Sequence, residues 1–140
     1  MNPVDAIEDN NAPTKDECNM AMLIHILALV AGFIGPLVLW AVKRNESKFI
    51  DRHGKACLNM EITFVIAIVA LYLVLFIPII LLSSSMHGND FGGWAVGFII
   101  GSVVLLLLAV FLRLIFPIIA AVRASRGEEY TYPLSIRFIK

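Results

Sequence analysis

The chain has 140 residues, of which 59% are hydrophobic and 16% charged, and its eleven basic and eleven acidic side chains leave no net charge. This length leaves room for one domain and excludes a second, water-soluble one. Such an apolar composition is typical of an integral membrane protein, for which we expect no nucleic-acid partner.

Residues 1–19 form an acidic segment with five Asp or Glu side chains against the single Lys15. The segment cannot bury enough apolar surface to fold alone, so we predict that it is disordered. It lacks the basic start of a signal peptide, and the first apolar run begins too late and is too long for one. The single folded domain is therefore expected over residues 20–140.

Three apolar runs follow, over residues 20–42, 58–82 and 91–122. A bilayer core about 30 Å thick requires about 20 apolar residues at about 1.5 Å of helical rise each. The runs are continuously apolar rather than alternating, which favours helices over the strands of a barrel. The predicted fold class is therefore all-α, a polytopic membrane protein with three transmembrane helices.

Proline predicts a kink in the first and in the third of these spans. Gly32, Gly35 and Pro36 interrupt the first span, where we predict a kink at Gly35 and Pro36, and Pro117 should kink the third span. A re-entrant hairpin is the alternative for the first span, and it would return the N-terminus to the cytoplasm. We favour one kinked span, because residues 20–33 and 37–42 are too short to cross separately.

Basic residues predict the orientation. The loop 43–57 carries five Lys or Arg side chains, whereas the loop 83–90 carries none. Since short cytoplasmic loops are rich in Lys and Arg, the first loop and the tail 123–140 should be inside. The protein is thus predicted to lie in the inner membrane with its N-terminus outside and its C-terminus cytoplasmic. Cys18 and Cys57 would then lie on opposite faces and could not form an intrachain disulfide.

Charged groups inside the spans are costly and often functional. Glu61 lies near the inner end of the second span, and Arg113 lies deeper in the third. We interpret them as an interhelical pair or a snorkelled anchor, in preference to an ion or proton path. His25, near the predicted outer end of the first span, is interpreted as a neutral hydrogen-bond donor between helices.

Small and aromatic residues predict packing and anchoring. Gly93, Gly97 and Gly101 lie on one face of the third span, where backbones can approach closely. This face suits packing against the first span or against another copy of the chain. Trp40 and Trp94 lie near opposite predicted interfaces, as an aromatic belt would require.

The most patterned polar segments are the loop before the second span and the C-terminal tail, and we expect them to meet on the cytoplasmic side. Within the loop, Asp51 could cap the following helix while Asn59 enters the bilayer side. We predict a surface that contacts a partner or lipid headgroups, and a solvated helix start is the alternative. Its candidate residues are Asp51, Arg52, His53, Lys55, Asn59, Tyr130, Tyr132 and Arg137.

Motifs for chemistry are absent from the sequence. His53 and Cys57 are four residues apart and could share a helical face, but two ligands do not make a metal site. There is no H-E-x-x-H, no G-x-S-x-G and no convergent carboxylate pair. We therefore expect no catalytic residue, no metal and no cofactor.

Three stretches of sequence carry a resemblance. They are Gly35-Pro36-Leu37-Val38-Leu39-Trp40, the loop from Phe49 to Asn59, and the segment from Phe116 through Tyr130-Thr131-Tyr132-Pro133-Leu134 to Ile139. Together they resemble a family of small prokaryotic membrane proteins related to the Tic-twenty subunit of the chloroplast import translocon. The MamF-type magnetosome membrane proteins look like distant members. The resemblance implies a membrane location and a helical fold more than an activity.

The predicted function is that of a structural, assembly or translocation-accessory component rather than an enzyme. Its expected partners are anionic lipid at the cytoplasmic face and either another membrane protein or a second copy. The alternative is an oligomeric channel for ions or small solutes, with Glu61 and Arg113 facing its lumen. An intramembrane enzyme is a distant third possibility.

Overall fold

A computed structural model describes residues 12–83 and 90–139, and all the regular elements in these ranges are helices. They are α1 (Lys15–Ala31), α2 (Ile34–Lys43), α3 (Lys48–Ser83) and α4 (Asp90–Ser125). The all-α prediction is confirmed. Most of the segment predicted to be disordered lies outside the described residues, but the part from Lys15 onward is helical.

The start of α1 is fixed by a capping box. The Thr14 hydroxyl accepts from the backbone N–H of Glu17 at 3.3 Å, and the Glu17 carboxylate accepts from the backbone N–H of Thr14 at 2.7 Å. Two N–H groups that have no acceptor within the helix are thereby satisfied. Hydrogen bonds from Ser47 and Thr14 also lower the pKa of Glu17, which keeps this carboxylate ionised.

The prediction of a single first span over residues 20–42 is wrong. Gly32 has a φ of 57°, a left-handed conformation that ends α1, and α2 begins at Ile34. A Cβ on Gly35 would come within 2.9 Å of the Cβ atoms of Leu27 and Ala31, so α2 folds back closely on α1. Pro36 lies in the first turn of α2, where its missing N–H costs no helical hydrogen bond. The break is therefore at Gly32 rather than at Gly35 and Pro36.

Two helices, not three, are long and apolar enough to cross a membrane within the described residues. These segments are Lys48–Leu81 of α3 and Val96–Ser125 of α4. Helices α1 and α2 have 17 and 10 residues, below the length of about 20 that a span needs. The loop predicted over residues 43–57 is shorter in the structure, because α3 begins at Lys48.

The chain divides into two compact units. The first contains the described residues up to Thr63 together with those from Ile115 onward, and the second is Phe64–Leu114. The second unit exposes large apolar side chains, among them Leu107 at 62% and Val74 at 67%. Such a surface suits contact with lipid rather than with water.

The core lies in the first unit and consists of three groups of buried side chains. Small residues dominate at the helix contacts and let the backbones approach. The groups are Cys18, Ala21, Phe49 and Ala124; Ile24, Ala28, Ile50 and Cys57; and Met60, Ala120 and Tyr132.

This packing brings together the segments that contain the two cysteines, which were predicted to lie on opposite faces of the membrane. Cys18 packs against Phe49, in the segment where Cys57 also lies, so the cysteines are not on opposite faces of this unit. Gly127 adopts a φ of 76°, and a Cβ on it would lie 3.0 Å from Pro13 and 3.6 Å from Cys18 Sγ. The start of α1 and the end of α4 therefore meet.

Candidate functional site

The start of α3 is held by Ser47 rather than by Asp51. The Ser47 hydroxyl accepts from the backbone N–H of Phe49 at 3.1 Å, which corrects the capping role predicted for Asp51. Asp51 instead accepts a hydrogen bond from Trp40 Nε1 at 2.9 Å and pairs with Lys55 Nζ at 2.6 Å. Trp40 therefore joins α2 to α3 rather than serving only as an interfacial anchor.

Gly54 makes the contact between Trp40 and α3 possible. A Cβ at this position would fall within 2.6 Å of the indole Cγ, well inside van der Waals contact. Only glycine lets the indole lie this close to the helix backbone. The glycine in the predicted loop is thus explained by packing.

A buried polar chain, here called the histidine cluster, connects α1, α3 and the tail. His25 Nε2 lies 2.9 Å from His53 Nδ1, and the Tyr132 hydroxyl lies 2.9 Å from His25 Nδ1. All three side chains are at most 2% exposed. His25 is hydrogen-bonded between helices as predicted, but its predicted place at the opposite end from His53 is wrong.

Burial sets the protonation of the histidine cluster. Loss of hydration, together with the smaller effect of positive charge on His53, lowers the pKa of His25 to about 3. Burial also raises the pKa of Tyr132, so its hydroxyl keeps its proton. His25 is therefore neutral at ordinary pH, with one ring nitrogen donating and the other accepting.

Asn59 holds the tail against α3. Its Nδ2 donates to the Ile139 carbonyl at 3.0 Å, and its Oδ1 accepts from the backbone N–H groups of Phe138 and Ile139 at 3.0 and 2.8 Å. One turn further on, the Thr63 hydroxyl accepts from the Ile136 N–H at 3.0 Å. The loop and the tail therefore meet as predicted, and their place on the cytoplasmic side stays a prediction. Asn59, however, binds the chain's own tail rather than entering the bilayer side.

The extended tail exposes part of its apolar side. Tyr132 is buried, whereas Leu134, Ile136 and Phe138 are 60%, 57% and 48% exposed. In the sequence these four residues alternate with Thr131, Pro133, Ser135 and Arg137, which is typical of an extended segment that lays one side on a membrane or on helices. Tyr132 packs in the core, and contact of the other three with membrane stays a prediction.

A groove of about 320 Å³, the tail groove, runs between the start of α3 and the tail. Arg52 and Glu129, both 57% exposed, form an ion pair across it. Seven of the eight predicted contact residues line the groove, and Asp51 lies beside Trp40 instead. The seven are Arg52, His53, Lys55, Asn59, Tyr130, Tyr132 and Arg137.

No set of three potential metal ligands occurs among residues 12–83 and 90–139. His53 is engaged with His25, and the Cys57 thiol lies 4.0 Å from the Ile24 carbonyl oxygen. His53 and Cys57, which are four residues apart, therefore have no third potential metal ligand in the described part of the chain.

The residues singled out within the spans fall in different units. Glu61, 3% exposed, belongs to the first unit. In the second, the Arg113 guanidinium lies over the Phe64 ring at 5.3 Å from its centroid. A direct pairing of Glu61 with Arg113 stays a prediction.

On the glycine face of the third predicted span, the structure describes the surroundings of Gly97 and Gly101. Among the described residues, a Cβ on Gly97 or Gly101 would meet nothing within 4 Å. The surroundings of Gly93 and Trp94 lie outside those described. Packing of this face against the first span or against another copy of the chain stays a prediction.

Several of these contacts were not predicted from the sequence. The capping box could have been found from Thr14-x-x-Glu17, a known signature of a helix start. The contacts of Asn59 with the tail and of His25 with Tyr132 join residues 80 and 107 positions apart, and no local pattern announces them.

Two apolar helices of membrane-spanning length, with a polar end closed by the chain's own tail, indicate a small polytopic membrane protein. Residues 16–139 match the magnetosome magnetite crystal formation protein family, which comprises MamF- and MmsF-type proteins, and the chain belongs to this family. Membership implies a membrane protein associated with magnetosomes. No curated protein and no solved structure matches the chain.

The family match decides between the two parts of the resemblance found in the sequence. It supports the MamF-type part over nearly the whole chain after residue 15. It gives no support to a Tic-twenty-like protein or to a role in protein translocation.

Proposed function

We propose that this protein is a non-catalytic structural or assembly component of the magnetosome membrane. It would act through a contact surface, formed by the exposed side chains of Arg52, Glu129 and Arg137 around the tail groove. The observation that carries the proposal is the fixing of the tail by Asn59, because it turns a short extended segment into part of a defined surface.

The arrangement supports binding better than catalysis. The buried histidine cluster is neutral at His25, and its groups bind one another at 2.9 Å. The charged side chains of the tail groove lie at its surface, where Arg52 and Glu129 are each more than half exposed. Exposed charges in a fixed frame favour specific recognition of a partner.

The contact surface would face the cytoplasm, together with both ends of the folded chain. This orientation rests on the Lys and Arg residues between α2 and α3 and in the tail, against none in residues 83–90. The expected partners are another membrane protein or a second copy, with anionic lipid around them. We propose a cellular inner membrane or a membrane derived from it as the location.

The sharpest test compares two variants that each remove an exposed ion pair without changing net charge. Arg52→Ala with Glu129→Ala alters the contact surface, whereas Lys43→Ala with Glu46→Ala removes a pair that does not line the groove. Cross-linking in native membranes followed by mass spectrometry would compare their partners. The first variant should lose partners that the second retains, with equal helix content by circular dichroism.

Two results would contradict the proposal. One is an identical set of cross-linked partners in both variants. The other is ion flux in liposomes that the Arg52 and Glu129 substitutions abolish, which would favour the oligomeric channel.

A further inference from the structure

The tail groove contains two hydrogen-bonding groups that the protein itself does not use. Within the described residues, the buried side-chain atoms without a hydrogen-bond partner are Nε2 of His53 and Oγ of Ser135. Both residues line the groove. Because buried polar atoms are almost always bonded, two such atoms at one cavity indicate a place for a polar ligand.

His53 is firmly placed for such a role. It is 1% exposed, and its other ring nitrogen is engaged by His25 at 2.9 Å. The Glu128 backbone faces the ring without reaching hydrogen-bonding geometry. When the Tyr132 hydroxyl donates to His25, His25 must donate to His53, and Nε2 of His53 then carries a hydrogen. In this tautomer, the groove receives an N–H donor from its buried wall.

Positive charge surrounds this donor. Arg52, Lys55 and Arg137 line the groove, against the single acidic residue Glu129. Arg52 pairs with Glu129, and Lys55 pairs with Asp51 outside the groove. Among the described side chains, 12–81 and 96–139, no acidic partner of Arg137 is seen. Its planar guanidinium suits a bidentate contact with an oxyanion.

The size of the groove also fits a small ligand. Its volume of about 320 Å³ exceeds by about tenfold the ~30 Å³ that one water molecule occupies in the liquid. It can therefore hold a tetrahedral oxyanion with several waters. A cation would meet three positive side chains, and an apolar group would leave both orphan donors unbonded.

We propose that the tail groove binds a small phosphate-class anion. The His53 Nε2–H and the Ser135 hydroxyl would donate hydrogen bonds to it, and Arg137 would provide the principal charged contact. The same chemistry is found in inorganic phosphate and in an anionic lipid headgroup. This proposal goes beyond the proposed function, since it requires no protein partner.

The test is nitrogen NMR of the full chain in a neutral detergent, with ¹⁵N-labelled histidine. Inorganic phosphate is titrated in one arm, and short-chain phosphatidic acid is titrated in the other against phosphatidylcholine. Chloride at matched ionic strength controls for screening. We expect a protonated Nε2 on His53 and a saturable shift of its resonance, which a His53→Gln variant assigns.

Two matched variants locate the site. Arg137→Gln removes a groove charge, whereas Arg126→Gln removes an exposed charge of the same tail that does not line the groove. Loss of one charge-assisted contact should weaken binding about tenfold or more in Arg137→Gln and leave Arg126→Gln unchanged. Lys55→Gln provides a second groove variant, and circular dichroism verifies that each one folds.

Each outcome decides the proposal. Saturation by inorganic phosphate supports a free anion, and saturation by phosphatidic acid alone supports a headgroup. The proposal is overturned if neither ligand saturates, if His53 Nε2 is unprotonated, or if both Arg variants weaken binding equally. Failure here would leave the cross-linking test of the contact surface unaffected, because that test needs no anion.

Discussion

Replacing Asn59 with alanine should release the C-terminal end of the tail. Asn59 is 4% exposed and makes three hydrogen bonds to the backbone of Phe138 and Ile139. At about 1 kcal/mol net for each bond, the docked tail should lose about 3 kcal/mol. Thr63→Val removes the acceptor of a single tail bond, from the Ile136 N–H, and should cost the tail about 1 kcal/mol.

Native-state hydrogen exchange of the tail amides measures this difference directly. Since about 1.4 kcal/mol corresponds to a tenfold change in an equilibrium constant, Asn59→Ala should reduce protection in the tail about a hundredfold and Thr63→Val about fivefold. Ser125→Ala is the control, because the Ser125 hydroxyl bonds only the Val122 carbonyl within its own helix. Equal protection in the Asn59 and Thr63 variants would refute the reasoning.

Three further predictions follow from the packing of the first unit and from the intramembrane charges. The low pKa of His25, about 3 against an ordinary 6.5, means that the unfolded chain binds more protons as the pH falls below about 6.5. Stability in urea should therefore fall by about 1.4 kcal/mol for each pH unit from 6.5 toward 3, and a His25→Gln variant should show a flatter profile. In a cysteine-free background, Asp16→Cys and Arg126→Cys should react with an impermeant thiol reagent from the same side of the membrane; reaction from opposite sides would restore three spans. If Glu61 and Arg113 pair, removing either alone should destabilise the protein in detergent more than removing both, whereas additive effects in a double-mutant cycle would show that they act independently.

The two long helices could be read from the sequence, but the fold of the first apolar run could not. In lipid, the backbone N–H and C=O groups of the continuous apolar run from Leu58 onward need partners within their own segment, which a helix provides. The structure has a helix there. The first run is also long enough to span a bilayer, yet Gly32 ends its helix with a positive φ and Gly35 lets the next helix fold back. The length of an apolar run does not indicate where the backbone reverses its direction.

The candidate surface was predictable in outline and not in its internal contacts. The polar residues around Arg52 and the tail stood out because they interrupt an apolar chain, and the structure places them around one groove. Asn59 and His53 carry the same polar signal, but both turn inward. Their partners lie in distant parts of the chain, which a single sequence does not reveal.

The way the tail is fastened has a consequence for sequence variation. Asn59 and Thr63 bind only main-chain atoms of Ile136, Phe138 and Ile139. Ile136 and Phe138 point their side chains outward, at 57% and 48% exposure. Docking therefore places little demand on which amino acids occupy these two positions, except that proline would remove the required N–H. These positions could diverge among relatives, or be replaced in a designed library, while the frame that presents them stays the same.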